Sequence, residues 1–179
     1  MKKLLIASDI HGSAYWCRRL LAFFEECGAD RLVLLGDLLY HGPRNALPDE
    51  YDPPAVIALL NSHRERILCV RGNCEAEVDQ MVLSFPVMAD YAVLDTALGT
   101  LYATHGHRFG PDTPPPLCAG DTLLSGHTHI PTNEVRDGIR YLNPGSTSIP
   151  KGGSPHSCIL LEGDRVTFYD LDTLSPYTL

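Results

Sequence analysis

Five short stretches of this chain place carboxylate, imidazole or amide side chains at the ends of apolar segments. The first, Ser8-Asp9-Ile10-His11-Gly12, follows residues 2–7, which we predict to be a buried parallel strand. Asp9 and His11 are two residues apart, so we expect their side chains to point the same way. A carboxylate and an imidazole that face one point suit a divalent metal of intermediate softness.

Four further stretches of the same kind follow along the chain. They are Gly36-Asp37, Gly72-Asn73, His105-Gly106-His107 and Gly126-His127-Thr128-His129. Taken singly, such residues also cap helices, form turns or lie on the surface. Together they offer more ligands than one metal needs. Two ions about 3.5–4 Å apart, bridged by one carboxylate, fit their number.

The N-terminal half shows alternating strand and helix patterns. We predict, in chain order, a strand over 2–7, a helix over 14–27 capped by Ser13, a strand over 30–35, a helix from 53 to about 64 and a strand over 67–70. Strands separated by crossover helices pair in parallel with a right-handed connection. Their carboxyl ends therefore meet at one edge of a sheet, which places Asp37 beside Asp9.

From Val87 onward the pattern changes to short strands joined by tight turns. A short helix over 76–84 precedes strands predicted over 91–96, 100–104, 122–125, 139–142, 158–161 and 166–170. We expect this half to be mostly antiparallel, with hairpins at Ala97-Leu98-Gly99 and Glu162-Gly163-Asp164-Arg165. Two sheets packed face to face, with helices outside, would accommodate both halves in a single domain over 1–179.

Charge and composition argue against several classes of partner and cellular location. The formal net charge is −8, which disfavours nucleic acid and anionic membranes as partners, because both attract basic surfaces. The apolar runs are too short for a membrane helix of roughly 20 residues or for a signal peptide, so we expect a cytoplasmic protein. The six cysteines lack C-x-x-C spacing and are expected to be reduced. Five of them are expected as small core residues, with Cys74 as the exception.

The motifs D-x-H, GD, GN, H-G-H and G-H-T-H, in this order, resemble those of the calcineurin-like metallophosphoesterases. The resemblance extends from Asp9 to the stretch Asn143-Pro144-Gly145-Ser146, which we expect to form a wall of the site. The short length and the phrase Gly36-Asp37-x4-Gly42-Pro43-Arg44-Asn45 are similar to compact bacterial phosphodiesterases of this family. The resemblance implies an α/β fold, a four-layer α/β/β/α sandwich of two mixed sheets.

The resemblance also implies the metal ligands by motif position. A first metal would be held by Asp9, His11 and His129, a second by Asn73, His105 and His127, and both by Asp37. A carboxylate suits the bridging position because it offers two oxygens and partly neutralises the charge of the pair. The neutral amide of Asn73 leaves the site with net positive charge for an anionic phosphate.

The family implies a metal-dependent phosphodiesterase that hydrolyses a small phosphodiester with a hydroxide held between two divalent ions. Manganese is the expected metal, although the nitrogen and oxygen ligands also admit iron, zinc, nickel or cobalt. A phosphomonoesterase and a non-catalytic scaffold like the related retromer subunit stay open as alternatives. Against the monoesterase, only Arg44 and Arg71 offer extra positive charge for a doubly charged monoester. Against the scaffold, all seven ligand positions hold residues that can bind a metal. Self-association into a homo-oligomer also stays open.

Substrate contacts are expected from the loop that follows Asp37. His41, Arg44 and Asn45 lie in this loop, and His107 lies beside a predicted ligand. Arg44 could bind a phosphate bidentately or belong to a solvated loop. His107 could position substrate or only hold a turn.

One position departs from the family pattern. The motif usually reads G-N-H-[DE], and its histidine acts as the general acid for the leaving group. Here the sequence is Gly72-Asn73-Cys74-Glu75. Cys74 is either a weaker proton donor or a spacer. In both cases we expect a preference for phosphodiesters with acidic, aryl-like leaving groups.

Overall fold

The computed structural model describes residues 3–179, so the predicted strand residue Lys2 lies outside the described part. The α-helices are α1 (Ala14–Glu26), α2 (Pro53–Asn61) and α3 (Glu77–Val82), and a 3-10 helix spans Arg64–Arg66. The strands are β1 (Lys3–Ala7), β2 (Arg31–Leu34), β3 (Ile67–Cys69), β4 (Tyr91–Thr96), β5 (Gly99–Thr104), β6 (Thr122–Leu124), β7 (Thr132–Arg136), β8 (Ile139–Asn143), β9 (Ser157–Glu162), β10 (Arg165–Asp170) and β11 (Ser175–Tyr177). Within residues 3–179, every helix is too short or too polar to cross a membrane.

The strands form two mixed sheets that pack face to face. The six-stranded sheet has the order β11-β10-β9-β1-β2-β3, and the five-stranded sheet has the order β4-β5-β6-β8-β7. Along β1, Leu5 packs with the helices α1 and α2, whereas Leu4 and Ile6 pack with the second sheet. Alternate side chains of one strand thus enter two cores, which explains why β1 is apolar from Leu4 to Ala7. The predicted α/β sandwich of two mixed sheets is confirmed.

Helix α1 begins where the sequence predicts and ends slightly earlier. The Ser13 side chain accepts a hydrogen bond from the backbone nitrogen of Trp16 at 3.2 Å, which caps the first turn. The helix ends at Glu26, one residue before its predicted end, with Cys27 as the C-cap. Helix α2 also ends early, because residues 64–66 adopt the tighter 3-10 geometry.

The C-terminal half is mostly antiparallel, as predicted, but it also contains parallel pairs that the sequence does not predict. Strands β5, β6 and β8 are parallel neighbours in the five-stranded sheet. Strand β9 joins the first sheet, antiparallel to β1. The sequence does not predict β7 or β11, because β7 is polar and largely exposed and β11 is three residues long with a proline at a sheet edge.

The cysteines agree only in part with their predicted core positions. Cys17, Cys69 and Cys158 are buried, and Cys27 is partly buried. Cys118 is exposed, which corrects its assignment to the core. It lies in the irregular segment before β6, outside both apolar clusters.

The parallel strands bring the motif-bearing loops to one rim of the sandwich. β1, β2 and β3 are parallel in the first sheet, as β5, β6 and β8 are in the second. The carboxyl ends of parallel neighbours lie at the same edge. Backbone hydrogen bonds then join the loops, from Asp9 to Gly36 at 3.1 Å, from Gly126 to His105 at 2.8 Å and from Thr147 to Ser8 at 2.9 Å.

Candidate metal centre

Three of the predicted ligands form a buried cluster at this rim. The Nε2 atoms of His11 and His129 are 3.3 Å apart. Both face Oδ1 of Asp9, at 3.5 Å and 3.2 Å respectively. All three residues are buried, and Asp9 Oδ1 has no hydrogen-bond partner within residues 3–179. A bound cation would satisfy this orphaned carboxylate oxygen.

Backbone carbonyl groups fix the tautomers of these two imidazoles. Nδ1 of His11 is 2.7 Å from the carbonyl oxygen of Tyr40, and Nδ1 of His129 is 2.5 Å from that of Ile149. Because a carbonyl oxygen only accepts, both Nδ1 atoms carry a proton, and in the neutral form each ring would direct its Nε2 lone pair into the cluster. This donor set fits a metal ion, and a carbonyl partner on the opposite ring nitrogen is typical of metal-binding histidines.

A second cluster is less buried, with Asn73 exposed and His127 partly buried, but its side chains also face one another. Nε2 of His105 is 3.0 Å from Oδ1 of Asn73 and 3.2 Å from Nδ1 of His127. Nδ1 of His105 donates to the carbonyl of Leu35 at 2.7 Å, so its Nε2 lone pair also faces other acceptors. Burial, together with the nearby His105, lowers the pKa of His127. The neutral ring that a metal requires is therefore favoured at this position.

Asp37 lies between the two clusters. Its Oδ2 is 3.7 Å from Nε2 of His11, and its Oδ1 is 3.5 Å from Nε2 of His105. One carboxylate thus faces both sets of donors with different oxygens. The structure brings all seven predicted ligands to one rim of the sandwich. Their role as ligands stays a prediction.

Left-handed backbone conformations aim most of these side chains. The φ angles are positive, between 49° and 66°, at Asp9, His11, Asp37, His127 and His129. Residues other than glycine rarely adopt this conformation, which costs about 1–3 kcal/mol and is concentrated at functional sites. This corrects the expected local geometry, because Asp9 and His11 follow β1, which ends at Ala7, and do not alternate along a strand.

In the first cluster, burial and the neighbouring charged groups have opposite effects on the pKa values of Asp9 and His11. Burial alone would raise the pKa of Asp9, but the neighbouring imidazoles of His11 and His129 hold it well below its usual value. Burial likewise opposes the charged form of His11, but the neighbouring Asp9 raises the net pKa of that imidazole. The Asp9 carboxylate therefore stays ionised although it is fully buried.

Four further residues hold the ligand loops: Asn143 and Ser146 belong to the predicted wall of the site, whereas Ser148 and Glu75 carry no functional prediction from the sequence. Ser146 and Ser148 donate their hydroxyl hydrogens to the carbonyl of Asp9, at 2.9 Å and 3.1 Å. Asn143 donates to the carbonyl of Gly126 at 2.8 Å. Glu75 is a buried carboxylate that accepts backbone hydrogen bonds. Its place directly after the GN motif is the only sequence signal that points to it.

The predicted substrate contacts lie in different environments. The His107 ring is 5.4 Å from the His105 ring, and His107 Nδ1 has no hydrogen-bond partner in the described chain. His41 Nδ1 has none there either, and its ring lies 5.1 Å from that of Tyr51. Arg44 is exposed, whereas Asn45 donates to the carbonyl of His41 at 2.8 Å and so supports the loop itself.

Cys74 lies at the margin of the centre. Its sulfur, a ligand atom of His11 and a carboxylate oxygen of Asp37 all lie within 4.8 Å of one another. Its backbone nitrogen donates to Asp37 Oδ1 at 2.9 Å. Burial, and then the Asp37 carboxylate, raise the pKa of the Cys74 thiol. The thiol therefore keeps its proton at neutral pH and is a weak acid.

Known proteins are similar to this chain in sequence and in fold. The profile of the calcineurin-like phosphoesterase superfamily domain matches residues 1–165. The chain is 48% identical over 175 residues to phosphodiesterase YfcE of Escherichia coli strain K12, which covers 98% of this chain and 95% of YfcE. It is 27% identical over 178 residues to the probable metallophosphoesterase YsnB of Bacillus subtilis strain 168, which covers 93% of this chain and 90% of YsnB.

A solved structure supports the same relationship. The structure of the Escherichia coli phosphoesterase YfcE matches with a TM-score of 0.95 at 47% sequence identity. The match covers 98% of this chain and 97% of that one. The resemblance that the sequence motifs indicate, to compact bacterial phosphodiesterases, is confirmed.

Proposed function

This chain belongs to the calcineurin-like phosphoesterase superfamily, and from that premise we propose that it is a metal-dependent phosphodiesterase with a dinuclear metal centre. One observation carries this function: Asp37 faces two separate donor clusters with its two oxygens. The proposed substrate is a small phosphodiester, and the proposed metal is manganese. We place the enzyme in the cytoplasm, without nucleic acid or membrane partners, and leave homo-oligomer formation open.

The ligand set determines the charge of the proposed centre. Two of the seven ligands are carboxylates, Asp9 and Asp37, and the other five are neutral. Two divalent ions would therefore exceed the negative charge of their ligands, which favours an anionic phosphate. When bound, such ions would lower the pKa of a coordinated water and polarise phosphoryl oxygens. The carbonyls of Tyr40, Leu35 and Ile149 hold the imidazoles in the tautomer that this requires.

The surrounding loops would orient the substrate. His41 and His107 each have a buried ring nitrogen without a partner in residues 3–179, and either could donate a hydrogen bond to a phosphoryl oxygen. Arg44 is exposed and could bind a phosphate oxygen from the side of the solvent. Asn45 would act on substrate only through the loop backbone that it supports.

Metal analysis followed by a substrate panel tests this function. Purified protein is expected to retain two equivalents of a divalent metal and to hydrolyse a bis-aryl phosphodiester faster than the matching aryl monoester. Faster hydrolysis of the monoester would favour a phosphomonoesterase with the same site. Failure to retain two equivalents, together with no hydrolysis of either ester, would favour a non-catalytic scaffold.

Replacing Cys74 with histidine is expected to extend the substrate range. The imidazolium is a better proton donor than a thiol whose pKa is raised by burial and by Asp37. General acid catalysis contributes about 10²–10⁴-fold, so kcat/KM for diesters with alkyl-like leaving groups should rise by about 10²-fold. Diesters with acidic aryl leaving groups should change little, because their leaving groups need no proton.

The measurement is a series of diesters with leaving groups of graded pKa. The Cys74→His enzyme should depend less steeply on leaving-group pKa than the wild type does. Cys118→His places the same substitution at an exposed cysteine and should leave the dependence unchanged. Equal slopes for Cys74→His and wild type would contradict this account of Cys74.

A further inference from the structure

We propose that Glu75 is a positioning residue that joins the loops of Asp37 and Asn73 and thereby sets the affinity of the second metal position. This role rests on the dinuclear centre proposed above. Glu75 is only 3% exposed, and nothing in the ligand set requires a further carboxylate there. Its environment shows what the carboxylate does.

Three backbone amides from two loops converge on this carboxylate. Oε2 accepts hydrogen bonds from the backbone nitrogens of Asp37 at 2.9 Å and Gly72 at 2.5 Å. Oε1 accepts one from the backbone nitrogen of Leu38 at 2.7 Å. A carboxylate has no donor of its own when ionised and can satisfy all three N–H groups. Without it, these buried amides would lose their partners.

The two loops approach so closely that glycine is required at the contact. A Cβ atom at Gly36 would lie 2.6 Å from Cα of Gly72. A Cβ atom at Gly72 would lie 2.7 Å from Oε2 of Glu75. The backbone of the Asp37 loop therefore lies directly against that of the Asn73 loop, with Glu75 filling the remaining space.

The hydrogen bonds of the Glu75 carboxylate involve the loops of Asp37 and Asn73. Within the described chain, Glu75 accepts no hydrogen bond from the loops that carry Asp9 and His129. Ser146 and Ser148 hold the Asp9 carbonyl instead. Loss of Glu75 should therefore displace Asn73 relative to Asp37 more than it displaces the first cluster.

The test is a metal titration of Glu75→Gln. Glutamine keeps the size of the side chain but places an NH₂ group against one of the three amides. Wild-type protein is expected to bind two equivalents of Mn²⁺. The variant should bind the second about 10–100-fold more weakly, the usual effect of losing a group that supports a ligand. The first should lose less affinity, because it shares Asp37 but its other ligands are held by contacts that do not involve Glu75. Calorimetry gives both affinities, and electron paramagnetic resonance distinguishes a coupled manganese pair from isolated ions.

Glu77→Gln is the matched control, because Glu77 is an exposed glutamate two residues away. It should bind both ions as the wild type does. If wild-type protein binds fewer than two ions, the dinuclear centre itself is wrong. If wild type binds two and Glu75→Gln binds both with unchanged affinities, the function stands and the role of Glu75 is wrong. A lower melting temperature without separation of the two affinities would likewise indicate a merely structural role.

If Glu75→Gln fails to fold, hydrogen exchange of the wild-type protein still tests the proposal. In metal-free wild-type protein, the amides of Asp37, Leu38 and Gly72 should be strongly protected, because each donates to the buried carboxylate. Rapid exchange at all three would overturn the proposal. Glu75→Asp retains the charge but is one methylene shorter, so its second-site affinity should lie between those of wild type and Glu75→Gln.

Discussion

Asp37→Asn is expected to lower kcat/KM for a bis-aryl phosphodiester by at least about 10³-fold, the upper range for loss of one stabilising group in an active site. The two oxygens of Asp37 face His11 on one side and His105 on the other. An asparagine can offer an oxygen to only one of them and turns an NH₂ group towards the other. It also removes one of the two negative charges in the ligand set. Metal affinity should fall by more than the roughly 10–100-fold typical of residues that only support a ligand.

Unfolding should not account for this loss. The hydrogen bond from the backbone nitrogen of Cys74 to Asp37 Oδ1 can be kept by the amide oxygen. Removing a buried charge from a metal-free site tends to stabilise a protein at the expense of activity. Metal-free Asp37→Asn should therefore melt at or above the wild-type temperature. Asp164→Asn alters an exposed carboxylate on the β9–β10 turn and serves as the control. Wild-type activity with two retained ions in Asp37→Asn would contradict the bridging role.

Gly72→Ala is expected to reduce the free energy of unfolding of the metal-free protein by about 3 kcal/mol or more, because overpacking costs 1–3 kcal/mol even where neighbours can adjust. The added Cβ would lie 2.5 Å from the backbone nitrogen of Asp37 and 2.7 Å from Glu75 Oε2. These groups belong to the contact between two ligand loops and cannot move without separating Asp37 from Asn73. The second metal position should therefore be lost as well.

Chemical denaturation and metal titration measure both effects. Gly153→Ala is the comparison, because Gly153 has a left-handed φ of 75° but nothing within 4 Å of an added Cβ. It should cost only the conformational strain, about 1–2 kcal/mol, and should leave metal binding unchanged. A Gly72→Ala protein no less stable than Gly153→Ala, with two ions bound, would show that the loop contact does not position the ligands.

The sequence predicts those parts of the fold that have strong local signals. The alternation of apolar strands and helices through β3 follows from patterns such as the apolar run of β1 and the Ser13 cap. The parallel pairing of β5, β6 and β8 could not be predicted in this way, because irregular segments and β7, rather than helices, connect these strands. Strand β7 itself has no apolar run to mark it.

In the site, too, the side-chain types could be predicted from the sequence, whereas the backbone geometry could not. Residue type and position at strand ends identify all seven candidate ligands. They do not reveal the left-handed backbone of Asp9 and His11, or that the carbonyl of Tyr40 orients an imidazole. Main-chain groups are the same for every residue and leave no trace in the sequence. The role of Glu75 escapes prediction for this reason, because all three of its hydrogen-bond donors are backbone amides.

Anomalous diffraction at the manganese edge, from crystals grown with Mn²⁺, tests most directly whether two ions share Asp37. Two peaks about 3.5–4 Å apart are expected. One should contact Asp9, His11 and His129, the other Asn73, His105 and His127, and each should contact a different oxygen of Asp37. A single peak, or two peaks that do not share Asp37, would contradict the proposed dinuclear centre.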